Sequence, residues 1–282
     1  MRPVSAGGGV SVVVPTRDAA PLLAETLASV FAQTLQPIEV LVVDDGSTDG
    51  TRALLDPLEA AGRLRVIRQA PSGAAAARNT GLRHASGAFI ALLDHDDLWP
   101  ADKLAWQVEL LRSRPEVVLA YGFMESFGQE RSYAWPPADV APEGDVRQAF
   151  LRKNWIRSPG QTLIRASALE AAGGFDETIV GADDWDLYLR LAAIGPFAYA
   201  HRKALAYRTH GGNQSRRAWT MFRHACRVHA RHAGRWPAGA AGGAGRWLKC
   251  RGTLVHMLAR DLLAATRARA ITSVTPSDPS AA

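Results

Sequence analysis

Cysteine is nearly absent from this chain. Its two cysteines in 282 residues, Cys226 and Cys250, offer neither metal-ligand spacing nor a disulfide framework, so both are expected to be reduced. No segment approaches the roughly 18 consecutive apolar residues of a membrane-spanning helix. Met1 to Gly9 carry no hydrophobic signal core, which leads to the expectation of a cytoplasmic protein. Glycines are missing where a dinucleotide site would need them, because Pro15-Thr16-Arg17-Asp18 supplies none of G-x-G-x-x-G. A Walker A loop and internal repeats are also lacking.

Acid is scarce at one end. Residues 1–215 hold 21 Lys/Arg against 25 Asp/Glu, whereas residues 216–282 hold 12 against 2, so the net +6 resides in the tail. A basic tail favours anionic lipid or nucleic acid. Nucleic acid is set aside, since no recognised motif or aromatic-interleaved platform accompanies the charge.

What is present is an alternation of short apolar runs and helical periodicities. Val10–Val14 and Ile38–Val43 read as buried strands, as do 64–68 and 88–93. Between them, 20–33, 49–61 and the Ala-rich 74–85 read as helices, and Pro100–Arg114 as another with Pro100 in its first turn. This order predicts right-handed βαβ units and a largely parallel sheet. Residues 128–145, rich in Pro and charge, read as a long loop over the sheet edge, of the kind that often binds ligands. Gln161–Arg165 reads as a short strand, 183–194 as a helix and Phe197–Tyr207 as extended chain.

The chemistry gathers where the strands stop. Phe89-Ile90-Ala91-Leu92-Leu93 ends at Asp94-His95-Asp96-Asp97, the second strand ends at Asp44-Asp45-Gly46-Ser47, and the first at Val14-Pro15-Thr16-Arg17. Crowded carboxylates repel unless a cation, solvent or shared protons intervene. Mg²⁺ and Mn²⁺ suit carboxylate oxygens, and Mg²⁺ typically adds substrate phosphates. At strand carboxyl ends, where open α/β sheets hold ligands, such an array points to a metal–diphosphate site. The plainer alternative is an acidic turn in which Asp97 or Asp102 caps the next helix. The cluster Asp183-Asp184-Trp185-Asp186 has its own plain reading, acids favoured by a helix dipole.

Taken in order, these pieces resemble the inverting glycosyltransferases of family two, which have the GT-A fold. The resemblance rests on Val12-Val13-Val14-Pro15-Thr16, Val42-Val43-Asp44-Asp45-Gly46-Ser47-Thr48-Asp49 and Gly73 with Ala77-Arg78-Asn79-Thr80-Gly81. It continues through Leu93 to Asp97, Asp183 to Arg190 and Tyr207 to Ser215, and so covers residues 10–215. It implies an α/β fold of GT-A type, a mostly parallel, Rossmann-like central sheet flanked by helices, with a C-terminal helical extension. It also implies sugar transfer from a nucleoside-diphosphate sugar, expected to be a UDP-sugar, to a glycan or lipid-linked acceptor, in cell-envelope or surface polysaccharide or glycolipid synthesis.

Roles carried by the resemblance fall on matching positions. Asp45 would meet the nucleobase edge, with Pro15 and Thr16 lining that pocket. Arg78 would lie near base or diphosphate, or else pair with a helix neighbour. Asp94 would contact ribose or the metal shell. Asp96 would ligate Mg²⁺ or Mn²⁺, with His210 adding a metal or phosphate contact unless it only packs on Tyr207. Asp184 would be the catalytic base that takes the acceptor's proton. Asp183 stands where the family commonly has Glu, and would contact the acceptor or a nearby loop. Trp185 would wall the acceptor pocket or simply pack its helix.

The expected division is a flexible 1–9, a catalytic domain 10–215 (donor part 10–125, acceptor part 126–215), a basic helical extension 216–270 and a disordered 271–282. In the extension, Trp219, Phe222, Cys226 and Ala233 share one helical face amid six arginines, 247–263 repeats the pattern, and 237–245 reads as a hinge. Packing on the catalytic domain competes there with peripheral contact on an anionic membrane at the inner face of the cell membrane. A sugar-phosphate nucleotidyltransferase is disfavoured because its Gly-rich phosphate loop is missing. A silent carbohydrate- or partner-binding module is disfavoured by the joint presence of Asp45, Asp96 and Asp184.

Overall fold

The computed structural model describes residues 8–129, 132–137, 140–211 and 218–233. The chain divides into two units, Met1–Asn213 and Gln214–Ala282.

The first unit is built on one eight-stranded sheet. Four strands come early: β1 (Val10–Thr16), β2 (Glu39–Asp44), β3 (Arg65–Arg68) and β4 (Phe89–Leu92). They alternate with helices α1 (Ala20–Phe31), α2 (Thr51–Ala60) and α3 (Ala74–His84). β1 pairs in parallel with β2 and β4, and β2 with β3, as three βαβ crossovers require. All seven residues of β1 and all four of β4 are buried, which explains why they read as continuous apolar runs. Next come α4 (Lys103–Ser113), β5 (Leu119–Gly128), β6 (Ala134–Trp135), α5 (Arg147–Arg152), a 3₁₀ turn (Pro159–Gln161), β7 (Thr162–Arg165), α6 (Ala166–Ala172), α7 (Asp183–Ala192) and β8 (Phe197–Thr209). In this half the sheet is mixed. β7 runs antiparallel to β4 and β5, β6 antiparallel to β5, and β8 parallel to β5.

Strand order decides where a ligand can enter. The sequence β3-β2-β1-β4-β7-β5-β6 runs outward on one side of β1 and returns on the other. The crossovers from β1 and β4 therefore leave in opposite directions, opening a crevice at their carboxyl ends. Thr16, Asp44-Asp45 and Asp94 all stand at that edge.

Two glycines make the edge possible. Gly46 follows Asp44 and Asp45, at the end of β2, at φ +76°, and a Cβ there would meet Pro71 at 2.6 Å. Gly81 lets α3 lie directly on β1, since its Cβ would fall 2.2 Å from Val13 Cγ1. Gly81→Ala should cost about 1–3 kcal/mol by overpacking, partly offset by helix propensity. Denaturant unfolding measures this, and an unchanged midpoint would mean that Val13 turns aside freely.

Several expectations need correction. The helix expected from Pro100 begins at Lys103, because the Pro100 carbonyl is held by Gln33 Nε2 (2.7 Å) and by Lys103 N (3.1 Å) across a turn. Neither Asp97 nor Asp102 caps it: the Asp102 carboxylate is drawn to Arg202, and Asp97 is buried elsewhere. Within 128–145, expected to be one long loop, β6 pairs with β5. β5 itself and the short helices α5 and α6 were not anticipated.

Of the second unit, helix α8 (Ala218–Ala233) is described. Val228 and His232, one turn apart, are buried, and Cys226 is half-buried. The side chains of Trp219, Phe222 and Ala233, the 237–245 and 247–263 readings, most of the stretch 1–9 expected to be flexible, and the 271–282 tail lie outside the described residues. No helix among the described residues is long and apolar enough to cross a membrane.

Candidate active site

At the end of β1, Thr16 is buried and its hydroxyl has no partner among the described residues. A buried hydroxyl left without a partner calls for an explanation, and a ligand in the crevice supplies one. Asp45 sits beside it, its amide donating to the Thr16 carbonyl (2.9 Å). The Asp45 carboxylate is already engaged: Oδ1 accepts from Gln69 Nε2 (2.8 Å) and Ser72 N (2.7 Å), and Oδ2 from Gly73 N (2.8 Å). Asp45 thus pins the loop that launches α3. About one of a carboxylate's four lone-pair positions stays open to a base edge.

Arg78, from α3, occupies the centre. Its Nη2 donates to Asp94 Oδ1 and its Nη1 to Asp183 Oδ2, both at 2.7 Å, while the guanidinium lies 5.4 Å from the Phe175 ring. Burial works against this charge, but Asp94 and Asp183 outweigh it and hold its pKa above the ordinary value. The sequence expected a contact with base or diphosphate, or with a helix neighbour. Instead Arg78 is buried between two carboxylates, the second 105 residues away in sequence, and ties the β4 loop to the start of α7.

The rest of the β4 loop is held from β8. Asp96 Oδ2 lies 2.9 Å from His210 Nε2, so the two residues expected at a metal meet each other. Asp97 is fully buried and accepts from Arg208 N (2.9 Å) and Ser158 Oγ (3.3 Å). Burial raises its pKa well above the carboxylate range, and Asp96 and Asp94 add to the effect. Arg208 also donates Nε to the Asp96 carbonyl (2.9 Å) and Nη2 to Glu25 Oε2 (2.5 Å). Sequence reading assigned Arg208 no role, although it lies within a recognised stretch two residues before His210.

Three acids stand in the first turn of α7. Asp186 is internally paired with Arg190 at 2.8 Å. Asp184 is partly buried, accepting from Trp185 N (2.7 Å), with Asn154 Nδ2 at 3.5 Å. Burial pushes its carboxyl up to about 8, Asp183 pushes the same way and Arg78 pulls down. Nearby Tyr188 is buried, its hydroxyl unpartnered among the described residues and its pKa raised by burial and by Asp184. Trp185 does not wall an open pocket. It is buried, and its indole donates to the Phe150 carbonyl (2.8 Å), packing α7 on α5.

Two carboxylate clusters, bridged by Arg78 and with a histidine beside one of them, thus stand at the carboxyl ends of the first strands of a mixed α/β sheet. The sequence profile of Glycosyl transferase family 2 matches residues 11–173, and the chain belongs to that family of transferases. Chondroitin synthase of Escherichia coli is 28% identical over 212 residues, covering 73% of this chain and 30% of that protein. UDP-Glc:alpha-D-GlcNAc-diphosphoundecaprenol beta-1,3-glucosyltransferase WfgD of Escherichia coli is 39% identical over 102 residues, 36% of this chain and 40% of that one. The chain therefore spans less than half the length of these curated relatives. A mannosyltransferase structure from Pyrobaculum calidifontis, in complex with GDP-Man and Mn²⁺, is 26% identical at TM-score 0.61, covering 96% of this chain and 76% of that one. The fold is of the GT-A kind, a central sheet flanked by helices.

Proposed function

We propose that this chain transfers a sugar from a nucleoside-diphosphate sugar to an acceptor hydroxyl by direct, inverting displacement, in polysaccharide or glycolipid synthesis. The observation that carries this reading is the convergence of the β4 acids with Asp183-Asp184 through Arg78 at the switch-point crevice. Thr16 and Asp45 hold the nucleobase end. Asp184, whose raised carboxyl is matched to proton exchange near neutral pH, takes the acceptor's proton as the hydroxyl attacks. Arg78 keeps Asp183 beside it and neutralises Asp94.

The donor set fits a hard divalent cation. Asp96 Oδ2 and His210 Nε2 stand 2.9 Å apart, and no group of three or more His, Cys, Asp or Glu among the described residues completes a cage. Such two-ligand sites leave room for substrate phosphates and water, the habit of Mg²⁺, and an imidazole nitrogen also suits Mn²⁺. Asp96 and His210 would hold the ion, which supplies positive charge against the departing diphosphate. Mn²⁺ in the mannosyltransferase complex supports this choice. The donors named among the relatives, UDP-Glc and GDP-Man, leave base and sugar open.

A panel of nucleotide sugars, assayed for transfer and slow hydrolysis with Mg²⁺ or Mn²⁺, tests the assignment. Chelation is expected to abolish turnover, and Asp96→Asn to come close to that. Full turnover of metal-free protein in chelator would remove the ion from the scheme.

A further inference from the structure

Close to Asp184 lies a group of rings and cations that the donor chemistry does not use. The indoles of Trp135, on β6, and Trp155, after α5, stack with centroids 5.8 Å apart and planes 18° from parallel. Lys153 Nζ stands 3.9 Å from the Trp135 centroid and 4.9 Å from that of Trp155. The Arg157 guanidinium lies 4.5 Å from the Trp135 ring and 5.8 Å from that of Tyr133, which is 37% exposed. Between the two cations in sequence, Asn154 reaches to 3.5 Å from Asp184 Oδ2.

Two features single this cluster out. Lys153 Nζ and the Arg157 guanidinium make no hydrogen bond or ion pair with any described residue, and the stretch from Val146 to Leu169 contains five basic residues and no acid. Arg and Lys side chains at a surface are ordinarily mobile, but here both cations are held against the Trp135 ring. Burial and the Arg157 charge lower the Lys153 pKa, an effect that a bound anion would oppose. The Trp135 indole N–H is buried and likewise unpartnered among the described residues. Pre-positioned cations without a counter-charge among the described residues are a receptor for an anion, and charge-assisted bonds to phosphoryl oxygens are the strong ones. A neutral glycan would gain nothing from the paired charge.

We propose that Lys153, Arg157 and the Trp135–Trp155 stack form an acceptor subsite for a sugar bearing a phosphate or diphosphate, its phosphoryl oxygens on the two cations and its hydroxyl directed along Asn154 to Asp184. Its catalytic meaning rests on the transferase reading above, whereas the binding itself does not. Tyr133 offers an open ring to the apolar face of the sugar.

The test measures binding without donor, so an inactive enzyme leaves it readable. Intrinsic tryptophan fluorescence and calorimetry are followed with three probes: an alkyl-diphosphate-linked monosaccharide, the same sugar 1-phosphate and the matching neutral alkyl glycoside. The two phosphorylated probes are expected to bind and the neutral one not to. Tighter binding of the alkyl diphosphate identifies a lipid-linked source, and equal binding a soluble sugar phosphate. Lys153→Met and Arg157→Met should each weaken binding by about tenfold, the loss of one charge-assisted contact. Lys153→Arg should restore it to within about threefold, because charge is kept and only geometry changes. Arg157 is exposed, so its variant keeps the test open if Lys153→Met fails to fold. With an active enzyme the loss should fall on acceptor KM and leave kcat at saturating acceptor. Equal affinity for the neutral glycoside, or unchanged affinity in the Met variants, overturns the proposal. So does a loss confined to nucleotide binding, which would assign the cations to the donor.

Discussion

Asp184→Asn should lower turnover by about 10²–10⁴-fold, the usual worth of a positioned general base, while nucleotide binding persists. The pH profile sharpens the expectation. With its carboxyl raised to about 8, Asp184 is mostly protonated at pH 7 in the free protein and becomes a base as pH rises. Accordingly kcat/KM should climb through the region near 8, and that limb should vanish in the Asn variant. Steady-state rates across pH, with calorimetric titration of nucleotide, measure both. If the variant lost nucleotide binding yet turned over normally per bound donor, Asp184 would belong to the donor side.

Arg78→Met is expected to lose about 3–5 kcal/mol of stability, because it strands two carboxylates that share one buried cation. Denaturant unfolding reads this directly. Since Arg78 also pulls the Asp184 carboxyl down, surviving activity should have its rising limb moved to higher pH. Arg78→Lys should fall between, keeping the charge but losing the two-pronged geometry that spans Asp94 and Asp183. A Met variant as stable as the parent, with its limb unmoved, would show that this pairing governs neither property.

The first half of the fold was legible because its central strands, β1 and β4, are buried on both faces. Val10–Val14 and Phe89–Leu92 have no polar alternation to confuse them, and helix α3 came out within a residue of its expected end. β5 was missed for a physical reason: Gly122 interrupts it, and its half-buried end mixes Glu125 and Ser126 with aromatics. The carboxylates at the strand ends could be read from local pattern. Their partners could not, since the Arg78–Asp183 bond spans 105 positions and the Arg208–Asp97 bond 111. Trp185 shows the same limit. A tryptophan after two acids fits a pocket wall or a packed helix equally well, and only the Phe150 carbonyl decides.

Arg78 also has a consequence for how such a chain diversifies. Apart from His210, the groups assigned to the nucleotide end lie on or just after β1, β2, α3 and β4, all before residue 98, whereas Asn154, the aromatic stack and α7 come after residue 134. The Arg78 guanidinium couples the two blocks at α7, and Ser158, Arg208 and His210 couple them at the β4 loop. On the transferase reading proposed above, exchange of residues 132–157 between paralogues would redirect the enzyme to a new recipient while the activated sugar stayed the same.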